Sequence, residues 1–140
     1  MKPLDPFDID LEKITLIEAS AGTGKTYTIT TLFCRLVAVG YSVESILVVT
    51  FTEAAAAELK LRVRKRLFET LARLSDKNSR SEEEDGDEDD FIQFLRHQKN
   101  TALICQRMRH ALNCFDQSSI MTIHSFCMKV LKEHAFESRS

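Results

Sequence analysis

The chain has 140 residues, of which 44% are apolar, and its formal charge is −2 at pH 7. This length and composition fit one globular domain with a hydrophobic core. No apolar run approaches the ~20 residues that span a bilayer, and the acidic N-terminus is not that of a signal peptide, so we expect a cytoplasmic protein without a membrane partner.

The first predicted elements form a strand, a loop, a helix and a second strand. Ile14 to Glu18 is a short β-branched run typical of a buried strand, and a glycine-bearing loop follows it. A helix is predicted next, because apolar residues recur with helical spacing at Ile29, Leu32, Phe33, Leu36 and Val37. Gly40 is a signal for the end of this helix. Ile46 to Thr52 is a second apolar strand. This order predicts a βαβ unit with a parallel sheet.

A long helix is predicted next, over Glu53 to Leu74. Its apolar face has one residue every four positions: Leu59, Val63, Leu67 and Leu71. Lys60, Arg64 and Arg73 lie off that face. Residues 75–90 are polar and charged, and they have too few apolar side chains to order themselves, so the sequence predicts a disordered acidic loop there.

The remaining elements are helical apart from one short strand. Phe91 to Asn113 has helical composition, and Ser119 to Ile123 suits a third strand. A last helix is predicted from His124 to His134, with one apolar face (Phe126, Cys127, Val130 and Leu131). The chain contains no internal repeat.

Charge is distributed unevenly along the chain. Glu82 to Asp90 carries eight of the 21 acidic residues, which leaves 13 acids against 19 lysines and arginines elsewhere. Five of those bases lie between Lys60 and Arg66. The basic remainder is compatible with a polyanionic partner, although a solvated helix face would explain the cluster equally well.

The cysteines do not indicate a disulfide framework. They form no C-x-x-C pair and have no regular spacing, so we expect reduced thiols (Cys34, Cys105, Cys114 and Cys127). Zinc is the alternative, because His124 and Cys127 are three residues apart on one helical face and His134 follows. A fourth ligand at suitable spacing is missing, which disfavours a zinc site.

The segment E-A-S-A-G-T-G-K-T, Glu18 to Thr26, predicts a phosphate-binding loop. Its glycines let backbone N–H groups point at a triphosphate, and the following helix adds its positive end. We expect Lys25 to reach the β- and γ-phosphates of ATP and the Thr26 hydroxyl to hold Mg²⁺. The nucleotide site comprises the whole loop (Ala19, Ser20, Ala21, Gly22, Thr23, Gly24, Lys25 and Thr26). The alternative is a glycine turn with an incidental lysine.

Three stretches resemble superfamily one DNA helicases of the UvrD/Rep type. They are the phosphate loop, where alanine at Ala19 is common in that family, V-V-T-F-T-E-A-A-A-A-E-L from Val48, and T-I-H-S-F-C from Thr122. Their combination is most similar to the RecB-like helicase–nuclease subunits, with AddA-like chains next. The resemblance covers nearly the whole chain.

This resemblance implies an α/β P-loop NTPase (RecA-like) fold, a parallel sheet with flanking helices. Residues 1–140 would be a partial UvrD-like helicase ATP-binding domain, the incomplete N-terminal part of a motor lobe. The implied activity is that of an ATP-dependent DNA helicase and exonuclease in double-strand break repair and recombination. The implied cofactors are ATP and Mg²⁺, and the implied partners are single- and double-stranded DNA with RecC-like and RecD-like subunits.

The resemblance also implies DNA contacts at Thr50, Phe51, Thr52 and His124. A strand end before a helix start offers hydroxyls and N–H groups to phosphate, and an aromatic or imidazole ring can stack on a base. From the residues alone, Phe51 could equally belong to the core. His124 by itself would more often be a capping or core histidine.

The sequence departs from the family pattern in two ways. Glu12 stands near the place of a glutamine that reads adenine in many members, which leaves adenine selectivity open. The acidic pair that holds Mg²⁺ and activates water is also missing, because Asp116 precedes T-I-H-S-F-C and is interpreted as a loop residue. We therefore interpret the chain as an N-terminal fragment of a longer protein.

Two other functions remain open from the sequence. A shortened, non-catalytic module could bind nucleotide or DNA without turnover. A P-loop kinase is a third possibility, but it leaves F-T-E-A-A and T-I-H-S-F-C without a function.

Overall fold

A computed structural model of the protein describes residues 23–75 and 90–137. Within these ranges five helices and two strands follow one another: α1 Thr23–Val39, β1 Leu47–Thr50, α2 Glu53–Ser75, α3 Asp90–Arg96, α4 Thr101–Asn113, β2 Ser119–Thr122 and α5 Ile123–Glu137. One-turn 3-10 segments, Val43–Ser45 and Phe115–Gln117, precede the two strands. The predicted strand Ile14 to Glu18, the loop residues Ala19 to Gly22 and residues 76–89 of the predicted acidic loop lie outside the described residues.

The two strands pair in parallel, as the sequence predicts. Leu47 lies opposite Ser119 and Thr50 opposite Thr122, so both strands end at the same edge. Each strand is shorter than predicted. Phe51 and Thr52 leave β1 because Thr52 caps the next helix, and Ile123 already belongs to α5. The α/β class with parallel pairing is confirmed for the described residues.

The core lies between the helices and the inner side of β2. Phe33 and Val37 of α1 are buried, as predicted, and the ring of Phe33 meets that of Phe115 edge to face at 6.3 Å between centroids. The predicted face of α2 is buried from Leu59 to Leu67, and Leu71 packs against it. Both helical stripes are therefore confirmed.

Helix α1 ends where Gly40 was predicted to stop it. Gly40 has a φ of 122°, a left-handed conformation that favours glycine. Its N–H donates to the carbonyl of Val37 at 3.0 Å, and the N–H of Tyr41 donates to the carbonyl of Leu36 at 3.1 Å. These two bonds close the helix in a Schellman-type cap. Nη1 of Arg107 also donates to the carbonyl of Ala38 at 2.7 Å.

The segment predicted as helical from Phe91 to Asn113 forms two helices. Leu95 and Ile104 are both buried, yet nine residues separate them, and a continuous helix of 100° per residue would place them on opposite sides. The break at 97–100 turns α4 so that both faces reach the core. In the turn before α4 the hydroxyl of Thr101 donates to the carbonyl of Gln98 at 2.9 Å.

The predicted bounds of the acidic loop are wrong by one residue at each end. Ser75 and Asp90, which were assigned to the disordered loop, are the last residue of α2 and the first of α3. The helix predicted from His124 to His134 is confirmed as part of α5, and its apolar face is largely uncovered within the described ranges. Phe126 and Val130 are half-buried, but Cys127 is exposed and Leu131 is 63% exposed. Among the described elements α5 mainly contacts β1 and β2, and Ser125 of its first turn reaches Glu53 of α2.

Candidate nucleic-acid and nucleotide site

The carboxyl ends of β1 and β2 bring two helix N-termini to one edge of the sheet. Thr50 and Thr122 are opposite each other in the ladder, and α2 and α5 begin directly beyond them. The first N–H groups of a helix lack partners inside the helix, and the helix dipole makes this end partly positive. Paired helix starts of this kind are suited to hold the negative groups of a ligand.

Thr52 caps helix α2. Its Oγ1 accepts a hydrogen bond from the N–H of Ala55 at 3.1 Å, and its carbonyl accepts one from the N–H of Ala56 at 3.0 Å. Among the described residues no acceptor serves the N–H groups of Glu53 and Ala54. These two donors are therefore available to an outside acceptor such as a phosphate oxygen.

Thr122 caps helix α5 in the same way. Its Oγ1 accepts a hydrogen bond from the N–H of Ser125 at 3.1 Å. The Thr122 side chain is only 3% exposed, so this cap is part of the interior. Here the strand passes into the helix without an intervening loop, because Ile123 is already helical.

Three of the four residues predicted to contact DNA lie exposed at this edge. Phe51 is 88% exposed, and Thr52 and His124 are exposed as well. The core alternative for Phe51 is therefore wrong, and so are the core and capping alternatives for His124, since Thr122 is the cap. Thr50 is half-buried, and its hydroxyl donates to the carbonyl of Thr52 at 3.2 Å, which uses it within the loop.

Sequence reasoning missed a polar cluster that joins the two helix starts. Oε1 of Glu53 lies 3.4 Å from Oγ1 of Thr122 and 3.5 Å from Oγ of Ser125, and the two hydroxyl oxygens are 3.0 Å apart. These side chains connect the segments F-T-E-A-A and T-I-H-S-F-C. Threonine directly before a helix is an N-cap signal that the sequence carries at Thr122, but the approach of Glu53 depends on the strand pairing.

The described part of the phosphate loop opens helix α1. Thr23, Gly24 and Lys25 are its first residues, and Thr26 is half-buried. Placing these residues at the start of a helix agrees with the loop-to-helix arrangement that a phosphate-binding loop requires.

Arg66 belongs to the predicted basic cluster but is directed inward. Its guanidinium carbon lies 5.3 Å from the ring centroid of Tyr27 and 5.4 Å from that of Phe91. Its Nη2 also donates to Oγ1 of Thr31 at 3.4 Å. Arg66 thus joins α2 to α3 and to the helix that follows the phosphate loop, so it does not contribute to a basic surface.

The other four bases of the cluster are exposed, but two are paired with acids on the same helix. Nη2 of Arg62 lies 2.6 Å from Oε1 of Glu58, and Nζ of Lys65 lies 3.8 Å from Oε1 of Glu69. Lys60 and Arg64 make no ion pair with the residues of the two described ranges. The positive charge offered to a distant polyanion is smaller than the sequence count implies.

Two further sequence interpretations concern metal and membrane. In the described part of the chain no three histidine, cysteine or carboxylate side chains are grouped so that they could hold a metal ion. Asp116 lies exposed in the 3-10 turn before β2, at the edge opposite the helix starts. None of the described helices has the length and apolar content to cross a membrane.

The model of the UvrD/REP helicase N-terminal domain matches residues 6–140. The chain belongs to this helicase family. The resemblance predicted from the phosphate loop, F-T-E-A-A and T-I-H-S-F-C is therefore confirmed.

Similar proteins include RecB subunits of RecBCD enzymes. The chain is 39% identical to the RecBCD enzyme subunit RecB of Haemophilus influenzae over 144 residues, which cover 97% of the chain and 12% of that protein. It is 40% identical to the subunit of Escherichia coli K12, with 96% and 12% covered, and 36% identical to that of Chlamydia pneumoniae, with 99% and 13% covered. The chain thus spans about an eighth of the length of these relatives.

Proposed function

We propose that the chain supplies part of the ATP site and part of the DNA track of a RecB-like, ATP-dependent DNA helicase and exonuclease. Such an enzyme would act in double-strand break repair and recombination. The observation that carries the DNA half is the shared edge, where two capped helix starts lie beside the exposed rings of Phe51 and His124. The family membership supports the nucleotide half.

The nucleotide half of the proposal uses Ala19 to Thr26 in a P-loop NTPase (RecA-like) fold. Backbone N–H groups of the loop would hold the phosphates of ATP, Lys25 would neutralise charge on the β- and γ-phosphates, and the Thr26 hydroxyl would bind Mg²⁺. The opening of α1 at Thr23 supports this assignment, because the positive end of the helix follows the loop. A hydroxyl is a suitable ligand for Mg²⁺, a hard cation that prefers oxygen.

The DNA half of the proposal uses the exposed edge. The free N–H groups of Glu53 and Ala54 and the hydroxyl of Thr52 would bind a phosphate, while Phe51 and His124 would stack on bases of a single strand. All of these contacts are independent of base identity. We therefore expect binding that does not depend on sequence.

In a RecB-like enzyme with two such lobes, nucleotide binding and hydrolysis would move this lobe against the second one. Stepping along DNA would result from that motion. RecC-like and RecD-like subunits are the proposed protein partners, because the similar proteins are named as RecB subunits of the RecBCD enzyme. The cytoplasm is the proposed location.

The nucleotide half is tested by calorimetry with Mg²⁺–ATP. We expect Lys25→Ala to abolish the binding that the wild-type chain shows, and Lys99→Ala, an exposed lysine in the turn between α3 and α4, to leave it unchanged. Equal affinities of wild type and Lys25→Ala would mean that the loop is not the nucleotide site.

The DNA half is tested with labelled single-stranded oligonucleotides of several sequences. We expect similar affinities for all of them and a steep loss of binding as salt is raised, since bound cations are released from DNA by protein contacts to phosphate. Binding that ignores salt, or no binding at low ionic strength, would contradict the DNA assignment.

A non-catalytic binding module is the second candidate. The position of Asp116 favours it, because this acid lies at the edge of the sheet opposite the two helix starts. ATP hydrolysis by the chain in the presence of DNA distinguishes the two. Turnover lost in Lys25→Ala favours a motor, and binding without turnover favours the module.

A further inference from the structure

Helix α2 carries apolar side chains on the face that points away from the core. Leu61 is 70% exposed and Phe68 is 65% exposed, whereas Val63 and Leu67 on the opposite face are fully buried. Leu61 and Phe68 are seven residues apart, which places them on one side of the helix, about 10 Å from each other along its axis. Together they form one wall of a groove.

This groove lies between α2 and α4 and has a volume of about 520 Å³. Its apolar floor is fixed in place, because Leu71 of α2 and Leu112 of α4 are partly buried and pack against the hydrophobic core. We call it the α2–α4 groove and define it by the residues that line it: Leu61, Arg64, Lys65, Phe68, Leu71, Arg109, Leu112 and Asn113.

The polar rim of the α2–α4 groove is positively charged. Arg64, Lys65 and Arg109 are exposed, and none of the lining residues is acidic. Lys65 has an acidic neighbour in Glu69, but the ion pair is 3.8 Å long and both side chains are well exposed. Arg64 and Arg109 make no ion pair within residues 23–75 and 90–137. An occupant with acidic flanks would therefore complement the rim.

We propose that the α2–α4 groove binds an acidic amphipathic helix of a partner protein. Such a helix presents apolar anchors at positions i, i+4 and i+7, a spacing that matches the two-turn distance between Leu61 and Phe68. Its glutamates or aspartates would lie beside Arg64 and Arg109. The apolar floor provides burial for the anchors, and the basic rim selects an acidic partner.

A nucleic acid fits the α2–α4 groove less well. Base stacking requires aromatic faces, and Phe68 is the one aromatic residue among those that line the groove. The leucines of the floor offer nothing to phosphates. This inference does not depend on the proposed DNA track, because the groove begins at Leu61, more than two turns along α2 from the edge at Glu53.

The proposal is tested with a fluorescent, end-capped peptide of about 15 residues, long enough to form a helix on binding. It carries leucines at i, i+4 and i+7 and glutamates on both sides of them. A second peptide replaces every glutamate with lysine. Anisotropy titrations of the whole 140-residue chain should show saturable binding of the acidic peptide and binding at least about tenfold weaker for the lysine peptide.

Two groove variants and two matched controls assign the binding to the groove. Phe68→Ala and the double variant Arg64→Glu with Arg109→Glu should each weaken the acidic peptide by about tenfold or more. The control for the first is Leu131→Ala, an apolar residue of α5 that is 63% exposed. The control for the second is Lys129→Glu with Lys132→Glu, also exposed on α5. Neither control should change the affinity by more than about twofold. Circular dichroism checks that every variant is folded.

Four results would overturn the proposal. The first is that the acidic peptide does not bind saturably. The second is that the control variants weaken its binding as much as the groove variants do. The third is that a single-stranded oligonucleotide displaces the peptide, and that the charge reversal weakens the binding of this oligonucleotide while Phe68→Ala does not. This result would assign the surface to nucleic acid. The fourth is that the acidic peptide binds only after the acids of Glu82 to Asp90 are replaced by glutamine and asparagine. This result would make the chain's own acidic stretch the occupant of the groove.

Discussion

The two strand–helix junctions at the carboxyl edge of the sheet differ in the burial of their caps. At the β1–α2 junction two residues, Phe51 and Thr52, separate strand from helix, and both are exposed. At the β2–α5 junction no residue intervenes, and the cap Thr122 is buried. The first junction is built to present side chains, while the second holds the helix start in place and presents His124 from its first turn.

Glu53 makes the two junctions depend on each other. Its carboxylate accepts hydrogen bonds from the hydroxyls of Thr122 and Ser125, so the exposed junction is held by the buried one. We therefore expect substitution of an exposed ring, such as that of Phe51, to change binding, and substitution of the buried cap Thr122 to change stability. Substitutions at Phe51, Thr122, Thr52 and Glu53 test this division.

Phe51→Ala should weaken binding to single-stranded DNA by about 1–3 kcal/mol, the usual loss when a stacking aromatic residue is removed. Its free energy of unfolding should change by less than about 0.5 kcal/mol, because the ring is almost fully exposed. Anisotropy and urea unfolding measure the two quantities. Tyr41→Ala is the control, since Tyr41 is an exposed aromatic residue at the end of α1. An equal loss of DNA affinity in both variants would remove the special role of Phe51.

Thr122→Val should lower the free energy of unfolding by about 1–2 kcal/mol. Valine keeps the shape of threonine but removes the hydroxyl that caps α5 and bonds Glu53, which leaves the N–H of Ser125 without its partner. Thr122→Ser retains the hydroxyl and should recover most of the loss. A destabilising serine beside a neutral valine would mean that the methyl group, and not the cap, holds this junction.

Thr52→Val should cost less, about 0.5–1 kcal/mol, because this cap is exposed and water can replace it. Urea unfolding in parallel with Thr122→Val gives the comparison directly. A cost for Thr52→Val as large as that for Thr122→Val would contradict the difference in burial between the two junctions.

Glu53→Gln should have the smallest effects. The free energy of unfolding should fall by about 0.3–0.5 kcal/mol through loss of a negative charge at a helix start. Affinity for single-stranded DNA at low salt should rise by about twofold, since one charge that repels phosphate is removed. Glu44→Gln, at the opposite edge of the sheet, should change neither. A fall in DNA affinity for Glu53→Gln would mean that the contacts of Glu53 with Thr122 and Ser125, which hold the two helix starts together, matter more for binding than its charge.

Much of the fold follows from apolar periodicity in the sequence. The stripes of α1 and α2, the stop at Gly40 and both described strands are predicted because each depends on nearby residues. The break between α3 and α4 was not predicted, because it depends on where Leu95 and Ile104 must meet a common core. The exposure of the apolar face of α5 also could not be predicted, since the sequence pattern of a helix does not indicate which other element covers it.

The candidate site was also predicted in part. The resemblance identified Phe51, Thr52 and His124, and the exposure of all three agrees with a surface role. The cluster of Glu53, Thr122 and Ser125 was missed, because residues about 70 positions apart approach only through the parallel pairing of β1 with β2. The inward direction of Arg66 was missed for the same reason, since Tyr27 and Phe91 belong to distant segments.

Hydrogen exchange with and without single-stranded DNA tests the central claim most directly. We predict that DNA slows exchange of the backbone N–H groups from Phe51 to Ala54 and at the start of α5, while Val43–Ser45 and Phe115–Gln117 at the opposite edge stay unchanged. Protection confined to the opposite edge or to the outer side of α2 and α4, with none at the two junctions, would contradict the account.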